Sequence, residues 1–301
     1  MWFWFSVLAL LFWSGSDLLG KIGCRNQDDR YSHLKMITAV GIIMGAHAAY
    51  SIFVGGAVVS SHVILTYLPV SLLYIVSMAF SYAAFRYIEL SISSPICNSS
   101  GAIVAILVII TSGLKSASAL SIIAIALVCL GTALLGYVEA AEDEDLRAAR
   151  QEFSNYKYSK SPLAIILPIA YCLLDALGTF ADSIVLERLD EESANCAYEL
   201  TFFIVGLICL IYLLAKKEKF VAKQELPKYI GGIFETVGQV FYIYALSDSD
   251  HVAYAAPIIA SFCIMSVVWS RIFLKEKLSL KHYGAILLVV CGIVILGILD
   301  L

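Results

Sequence analysis

EAAEDEDLRAARQEFSNYKYSKS, residues 139–161, is the one long polar stretch in a chain of 301 residues, and what lies on either side of it decides the fold. Each flank offers five apolar segments of about 19 to 25 residues, long enough to cross about 30 Å of hydrocarbon. They run over 2–22, 34–56, 62–85, 92–112 and 118–138 before the insert, and over 162–186, 194–215, 228–246, 251–274 and 280–299 after it. None shows strand alternation, and only helices or closed barrels can span lipid. The expected fold is an all-α integral membrane protein with ten transmembrane helices.

Composition agrees. Hydrophobic residues make up 60% of the chain and charged residues 15%, against about 45–50% apolar residues in soluble domains; mean hydropathy is +0.87. A net charge of −4 offers no basic surface for nucleic acid. The eight cysteines are scattered singly through apolar runs, with no CxxC and no Cys/His cluster, and read as small buried hydrophobes rather than metal or redox groups. The opening MWFWFSVLALLFW lacks a basic leader and a small-residue cleavage site, so it reads as a retained membrane helix.

The two flanks resemble each other. Asp17 and Gly20 in the first helix recur as Asp175 and Gly178 in the sixth, both at an offset of 158; Gly131 and Gly136 in the fifth recur as Gly292 and Gly297 in the tenth, both at an offset of 161. Such spaced pairs point to internal duplication. The expected organisation is a five-helix repeat over 1–138, an acidic linker over 139–161 and a second five-helix repeat over 162–301. An odd number of helices per repeat makes the second copy enter the membrane inverted. The charges agree: one side of this topology carries 18 of the 20 Lys and Arg, and only Lys115 and Arg188 fall opposite. The positive-inside rule then places the linker in the cytoplasm and both termini outside the cell (plasma or inner) membrane.

Polar residues inside such helices are the functional candidates, since a charge at the centre of a bilayer helix costs about 2.5–3.5 kcal/mol on insertion scales. In the sixth helix, AYCLLDALGTFADSIV, Asp175, Gly178, Thr179 and Asp182 share one face; Asp182 near the outer end is either solvated or part of that stripe. In the eighth, Glu235, Gly238, Gln239 and Tyr242 repeat the design, with Gln239 either a hydrogen-bond partner of Glu235 or a site residue. Glu199 in the seventh is an entrance residue or an interfacial one. In SISSPICNSSGA, residues 91–102, Ser94, Asn98 and Gly101 share a face and Pro95 falls in the first turn, where an uninterrupted helix tolerates it; that face serves helix packing or ligand binding. Asp17 either pairs with Lys21 four residues on or forms with Asp175 a pseudo-symmetric pair lining one cavity, the reading adopted here.

Seventeen tyrosines supply interfacial and packing residues, and a subset beside the acids suits an organic cation. The five histidines are dispersed, and no GxSxG, HExxH or phosphate-cradling loop appears. The expectation is a non-enzyme without cofactor or metal. The glycine spacings of the fifth and tenth helices suggest close packing, within the chain or between two copies as a homodimer.

Two runs, Tyr244–Gly297 (YALSDSDHVAYAAPIIASFCIMSVVWSRIFLKEKLSLKHYGAILLVVCGIVILG) and its weaker counterpart IELSISSPICNSSGAIVAILVI, together with the Asp-x-x-Gly of helices one and six, resemble the EamA-like branch of the drug/metabolite transporter superfamily. The most specific part is LKEKLSLKHYGA around Glu276, Leu278 and Gly284; the first block has GLKSAS in the corresponding place, and Glu276 reads as a structural loop residue. The resemblance implies an alternating-access carrier with a central cavity between the repeats, lined by helices 1, 3, 4, 6, 8 and 9. The resulting expectation is a secondary transporter of a small organic metabolite, cationic or zwitterionic and amine- or amino-acid-like, with proton coupling. Asp175 and Glu235 lead the site, supported by Asp17, Asp182, Asn98, Gln239, Tyr242 and Glu199. The alternatives are an uncoupled facilitator of a neutral metabolite such as a sugar or nucleoside, and, less favoured, a membrane-embedded enzyme.

Overall fold

A computed structural model describes residues 1–26, 28–112, 118–152, 164–186, 188–246, 259 and 262–299, and all secondary structure among them is helical. The helices are α1 (Trp2–Cys24), α2 (Ser32–Tyr50), α3 (Ser61–Ala84), α4 (Leu90–Cys97), α5 (Ser100–Ser112), α6 (Ala119–Ala141), α7 (Glu144–Gln151), α8 (Ile166–Val185), α9 (Glu191–Ala215), α10 (Ala222–Leu246), α11 (Phe262–Trp269) and α12 (Leu280–Leu299); short π-turns, Ser51–Gly55 and Ser270–Leu274, extend α2 and α11.

Among the described residues, six helical stretches are long and apolar enough to cross a membrane: Trp2–Cys24, Ser32–Gly55, Ser61–Ala84, Leu90–Thr111, Ala119–Ala141 and Glu191–Ala215; Phe262–Leu274 and, within α12, Leu280–Ile295 are shorter apolar stretches. Fewer stretches qualify than the ten apolar segments of the sequence. Of the remainder, α8 carries Asp175 and Asp182, and α10 carries Glu225, Lys228, Glu235 and Gln239, so neither is apolar throughout. The first half of the ninth segment, with Tyr254, lies outside the described residues, as do most of GLKSAS and the end of the linker.

Helix starts follow local chemistry. Ser60, Ser118, Asp143 and Asp190 each accept a backbone N–H of the turn they open, which satisfies a donor that would otherwise be orphaned. The fourth segment departs from the sequence expectation of one continuous helix. Pro95 is the sixth residue of α4, not part of its first turn, and the helix breaks at Asn98–Ser99 before α5 begins. Proline lacks the N–H that would bond the carbonyl of Ser91 and crowds that turn; beyond it, side chains supplement the helix end: Asn98 Nδ2 donates to Ser94 O at 3.0 Å, which also accepts Asn98 N, and Ser99 Oγ donates to Pro95 O at 2.9 Å. Glu276 closes the other end of α4, accepting Leu90 N at 3.1 Å, Ser91 N at 3.0 Å and Ser91 Oγ at 2.7 Å. It acts as an N-terminal cap supplied from the α11–α12 loop.

The dominant pairings are α1 with α10, α3 with α8, α2 with α9 and α6 with α12. Small residues set the last two. A Cβ on Gly41 would lie 2.7 Å from Phe202 O and 3.1 Å from the Gly206 Cα; one on Gly131 would lie 2.8 Å from Val289 N, and one on Gly292 would lie 2.7 Å from Ala124 O. Gly131 and Gly292 of the fifth and tenth sequence segments therefore let those two segments pack closely within the chain, as small-residue interfaces in membranes do. Adding bulk to such a contact costs about 1–3 kcal/mol. Gly131→Leu is expected to lower the thermal midpoint in detergent by several degrees, whereas Gly101→Leu, whose Cβ meets open space, stays near wild type; equal midpoints would overturn the packing argument.

Of the cysteines, Cys24, Cys97, Cys172, Cys196 and Cys263 are buried as expected, but Cys129 and Cys291 lie exposed on α6 and α12. In a membrane helix an apolar side chain gains as much from lipid as from the core, so burial is not required of them.

Candidate functional site

The stripe on α8 meets α3 and the α4–α5 break. Tyr67 donates its hydroxyl to Asp182 Oδ1 at 2.6 Å, and Tyr74 lies 3.2 Å from Thr179 Oγ1 and 3.4 Å from Asp182 Oδ2. Asp182 is thus held by two phenols rather than left as a solvated end residue. About two turns earlier, Asp175 faces the hydroxyls of Ser100, at the start of α5, and of Tyr171.

Asp17 is treated similarly on α1. Its Oδ2 accepts Ser94 Oγ at 2.7 Å and Ser266 Oγ at 2.8 Å, so α4 and α11 converge on it. Lys21 reaches elsewhere, to the carbonyl oxygen of Phe85 at 2.7 Å and to that of Ile88, and so satisfies acceptors at the end of α3. Glu235 on α10 faces the hydroxyl of Ser16, which itself donates to Gly231 O at 3.1 Å.

These groups surround one cavity of about 380 Å3, within the range of small-molecule sites. Asp17, Asp175, Asp182, Glu235, Gln239, Tyr242 and Asn98 all line it; Glu199 does not. Instead Glu199 is buried at 1% exposure beside His47 and Asn195. The described lining also includes Glu191 but no Lys, Arg or His. Aromatic rings complete the wall: Trp13 lies 5.2 Å from Tyr242 and Tyr74 lies 6.1 Å from Tyr198. Trp13 Nε1 and Tyr82 Oη on this wall have no hydrogen-bond partner among the described residues, and buried donors of that kind ordinarily find one.

Tyr67, Ser100, Asn195 and Ser266 were not singled out by sequence. A serine in an apolar run carries no periodicity of its own, and Tyr67 and Asn195 sit where helix ends are ordinarily polar or aromatic. The available signal was Ser266 within the ninth helix, the counterpart of the serine-bearing fourth.

The cavity reaches Leu186 and Glu191 at the α8–α9 loop. The opposite helix ends are sealed by two ionic clusters. In one, Lys35 lies 3.0 Å from Asp29 and 3.6 Å from Glu225, and Lys228 lies 2.8 Å from Glu225 and 3.6 Å from Asp29. In the other, Arg150 of α7 lies 2.8 Å from Glu89, 3.1 Å from Glu139 and 2.9 Å from Glu142, and donates to Lys277 O at 3.2 Å. Burial pushes the Glu89 carboxyl above its ordinary range and Arg150 opposes that rise. Glu139, Glu142 and His282 converge as three potential metal ligands, but Arg147 and Arg150 already engage both carboxylates, so the cluster reads as a balanced ion network.

The family model of the EamA-like transporter family matches residues 162–298. An uncharacterized protein of Methanocaldococcus jannaschii is 31% identical over 139 residues, which are 45% of this chain and 96% of that protein. The chain belongs to the EamA-like transporter family. It is a multi-pass membrane protein of the drug/metabolite transporter type. The matched region of this EamA-like protein supplies Asp175, Asp182, Glu235 and Gln239 to the cavity, while Asp17, Ser94 and Asn98 come from the part that precedes it.

Proposed function

We propose that this EamA-like protein is a secondary transporter that moves a small organic cation or zwitterion, amine- or amino-acid-like, by alternating access with a proton as the competing ion. The observation that carries this reading is the cavity wall: Asp17, Asp175, Asp182 and Glu235, with aromatic rings between them and no basic side chain among the described lining residues. Carboxylates that reach a membrane cavity favour a cation, and aromatic faces replace part of its hydration shell. Proton and solute then exchange on the same acids, so solute binding falls as pH drops.

The proposed architecture is two inverted five-helix repeats. The pairings support it: exchanging the blocks turns α1 with α10 into α8 with α3, and returns α2 with α9 and α6 with α12 to themselves. The Methanocaldococcus jannaschii relative adds support, since 139 matched residues make up 96% of it and it is therefore about one block long. With the linker side cytoplasmic by the distribution of Lys and Arg, the ionic clusters close the inner end and the cavity faces outward, at the plasma or inner membrane.

Trp13 Nε1 and Tyr82 Oη favour a second reading, in which a neutral polyol or nucleoside supplies the acceptors and moves without a proton. A thermal-shift screen of purified protein separates the two. Amines, quaternary ammonium ions, amino acids, sugars and nucleosides are compared at about pH 5.5 and about pH 8, which bracket the histidine range and keep unperturbed carboxylates ionised. Stabilisation by cations chiefly at the higher pH supports the transporter proposed here. Stabilisation by a neutral solute alone, unchanged between the two pH values, replaces it with the facilitator.

A further inference from the structure

Behind the cavity wall runs a chain of four polar side chains from α2 to α10. His47 Nδ1 lies 2.8 and 2.9 Å from the two oxygens of Glu199. Glu199 is buried at 1% exposure, and His47 is half-buried. A carboxylate only accepts hydrogen bonds, so the Asn195 atom 3.3 Å from Glu199 Oε1 is the donor Nδ2. That choice turns Asn195 Oδ1 toward Gln239, whose Nε2 donates to it at 3.4 Å. Each link orients the next: one N–H of Gln239 is committed to Asn195, which fixes the way the amide is turned and leaves its carbonyl oxygen Oε1 as the acceptor for a bound solute. Asn195 and Gln239 line the cavity, whereas Glu199 and His47 do not.

We infer that Glu199 is a specificity-determining positioning residue: through Asn195 it fixes Gln239 as a hydrogen-bond acceptor, and the cavity thereby selects cations that carry N–H donors. The inference rests on the cation reading given above and deepens it. A primary ammonium has three donors for the acids and for Gln239 Oε1, whereas a quaternary ammonium of the same charge has none. Glutamine at position 199 either donates or accepts, so the amide chain can run in both directions and the fixed polarity at Gln239 is lost.

The test is isothermal titration of the purified full-length protein with n-butylammonium and n-butyltrimethylammonium at neutral pH. Wild type is expected to prefer the primary amine, and Glu199→Gln to reduce that preference on the order of tenfold, the scale of a hydrogen bond to a charged group. The change is expected in the affinity ratio, whereas a merely structural defect lowers both affinities together. Asn195→Leu, which cuts the chain without touching the acid, is expected to give the same reduction, and to serve in its place if Glu199→Gln does not fold. Combining Glu199→Gln with Gln239→Met should add nothing further to the ratio, since both act through one atom. A ratio unchanged in both Glu199→Gln and Asn195→Leu overturns the inference and leaves the cation reading standing. Binding of neither probe to wild type takes down both.

Discussion

Asp175→Asn protein, reconstituted into liposomes, is expected to lose uptake of the amine that gives the largest thermal shift, by on the order of a hundredfold or more, while unfolding near the wild-type midpoint. The size follows from removing one partner of a desolvated charge pair, worth about 3–5 kcal/mol. Asparagine keeps the shape and can still meet the hydroxyls of Ser100 and Tyr171, so folding is spared. The remaining uptake should also lose its dependence on external pH if Asp175 is where proton and solute compete. Full uptake with the wild-type pH profile would remove Asp175 from the site and shift the burden to Glu235 and Asp17.

A stability effect of similar size is expected at the far end of the molecule. Arg150 is 7% exposed and bridges Glu89 and Glu139, which are 1% and 0% exposed, while binding Lys277 O at 3.2 Å. Arg150→Ala takes that cation away from two buried carboxylates and should cost about 3 kcal/mol, the lower end for a broken buried pair, because Arg147, Gln151 and His282 remain close to the acids. The deficit should shrink as pH falls. Glu89 already has its folded pKa raised by burial, and loss of Arg150 raises it further; a carboxyl whose folded value lies above its unfolded value gains stability as it takes up a proton. Adding Glu89→Gln to Arg150→Ala should recover part of the loss. A midpoint that does not move with Arg150→Ala, or a deficit that grows at low pH, would show that the network carries no such energy.

Helical character and most of the cavity wall were legible in the sequence because each rests on a local rule. Apolar length gives the spans, and intramembrane acids at helical spacing share a face, so Asp175 with Asp182 and Glu235 with Gln239 arrive on the cavity together. The alternative of an Asp17–Lys21 pair rested on the same local rule. The spacing of Lys21 from Asp17 is right for a pair, yet α3 ends beside it with carbonyls to satisfy, and Ser94 and Ser266 reach the acid first. Glu199 looked like a rim residue because depth along a helix can be read from sequence, whereas the direction in which a side chain leaves the bundle depends on its neighbours, here His47, 152 positions away. The break in the fourth span turned on two residues of register. Pro95 in a first turn would be tolerated, but it is the sixth residue of α4, where it removes a backbone bond inside the helix, and α4 gives way at Asn98.

The crossings of α2 with α9 at Gly41 and Gly206, and of α6 with α12 around Gly131 and Gly292, bring backbone against backbone or against branched side chains with no room for one more carbon. On the reading of two related blocks, these are the contacts that each block makes with its own counterpart. Close-packed contacts have low compressibility and transmit strain, so each crossing acts as a fixed point. Two pinned points on a rigid body fix a line, and the freedom left is rotation about that line. The pair of crossings would then behave as a hinge pin, and a bulky residue at either should freeze the rocking of the halves even in protein that still folds and still binds its solute.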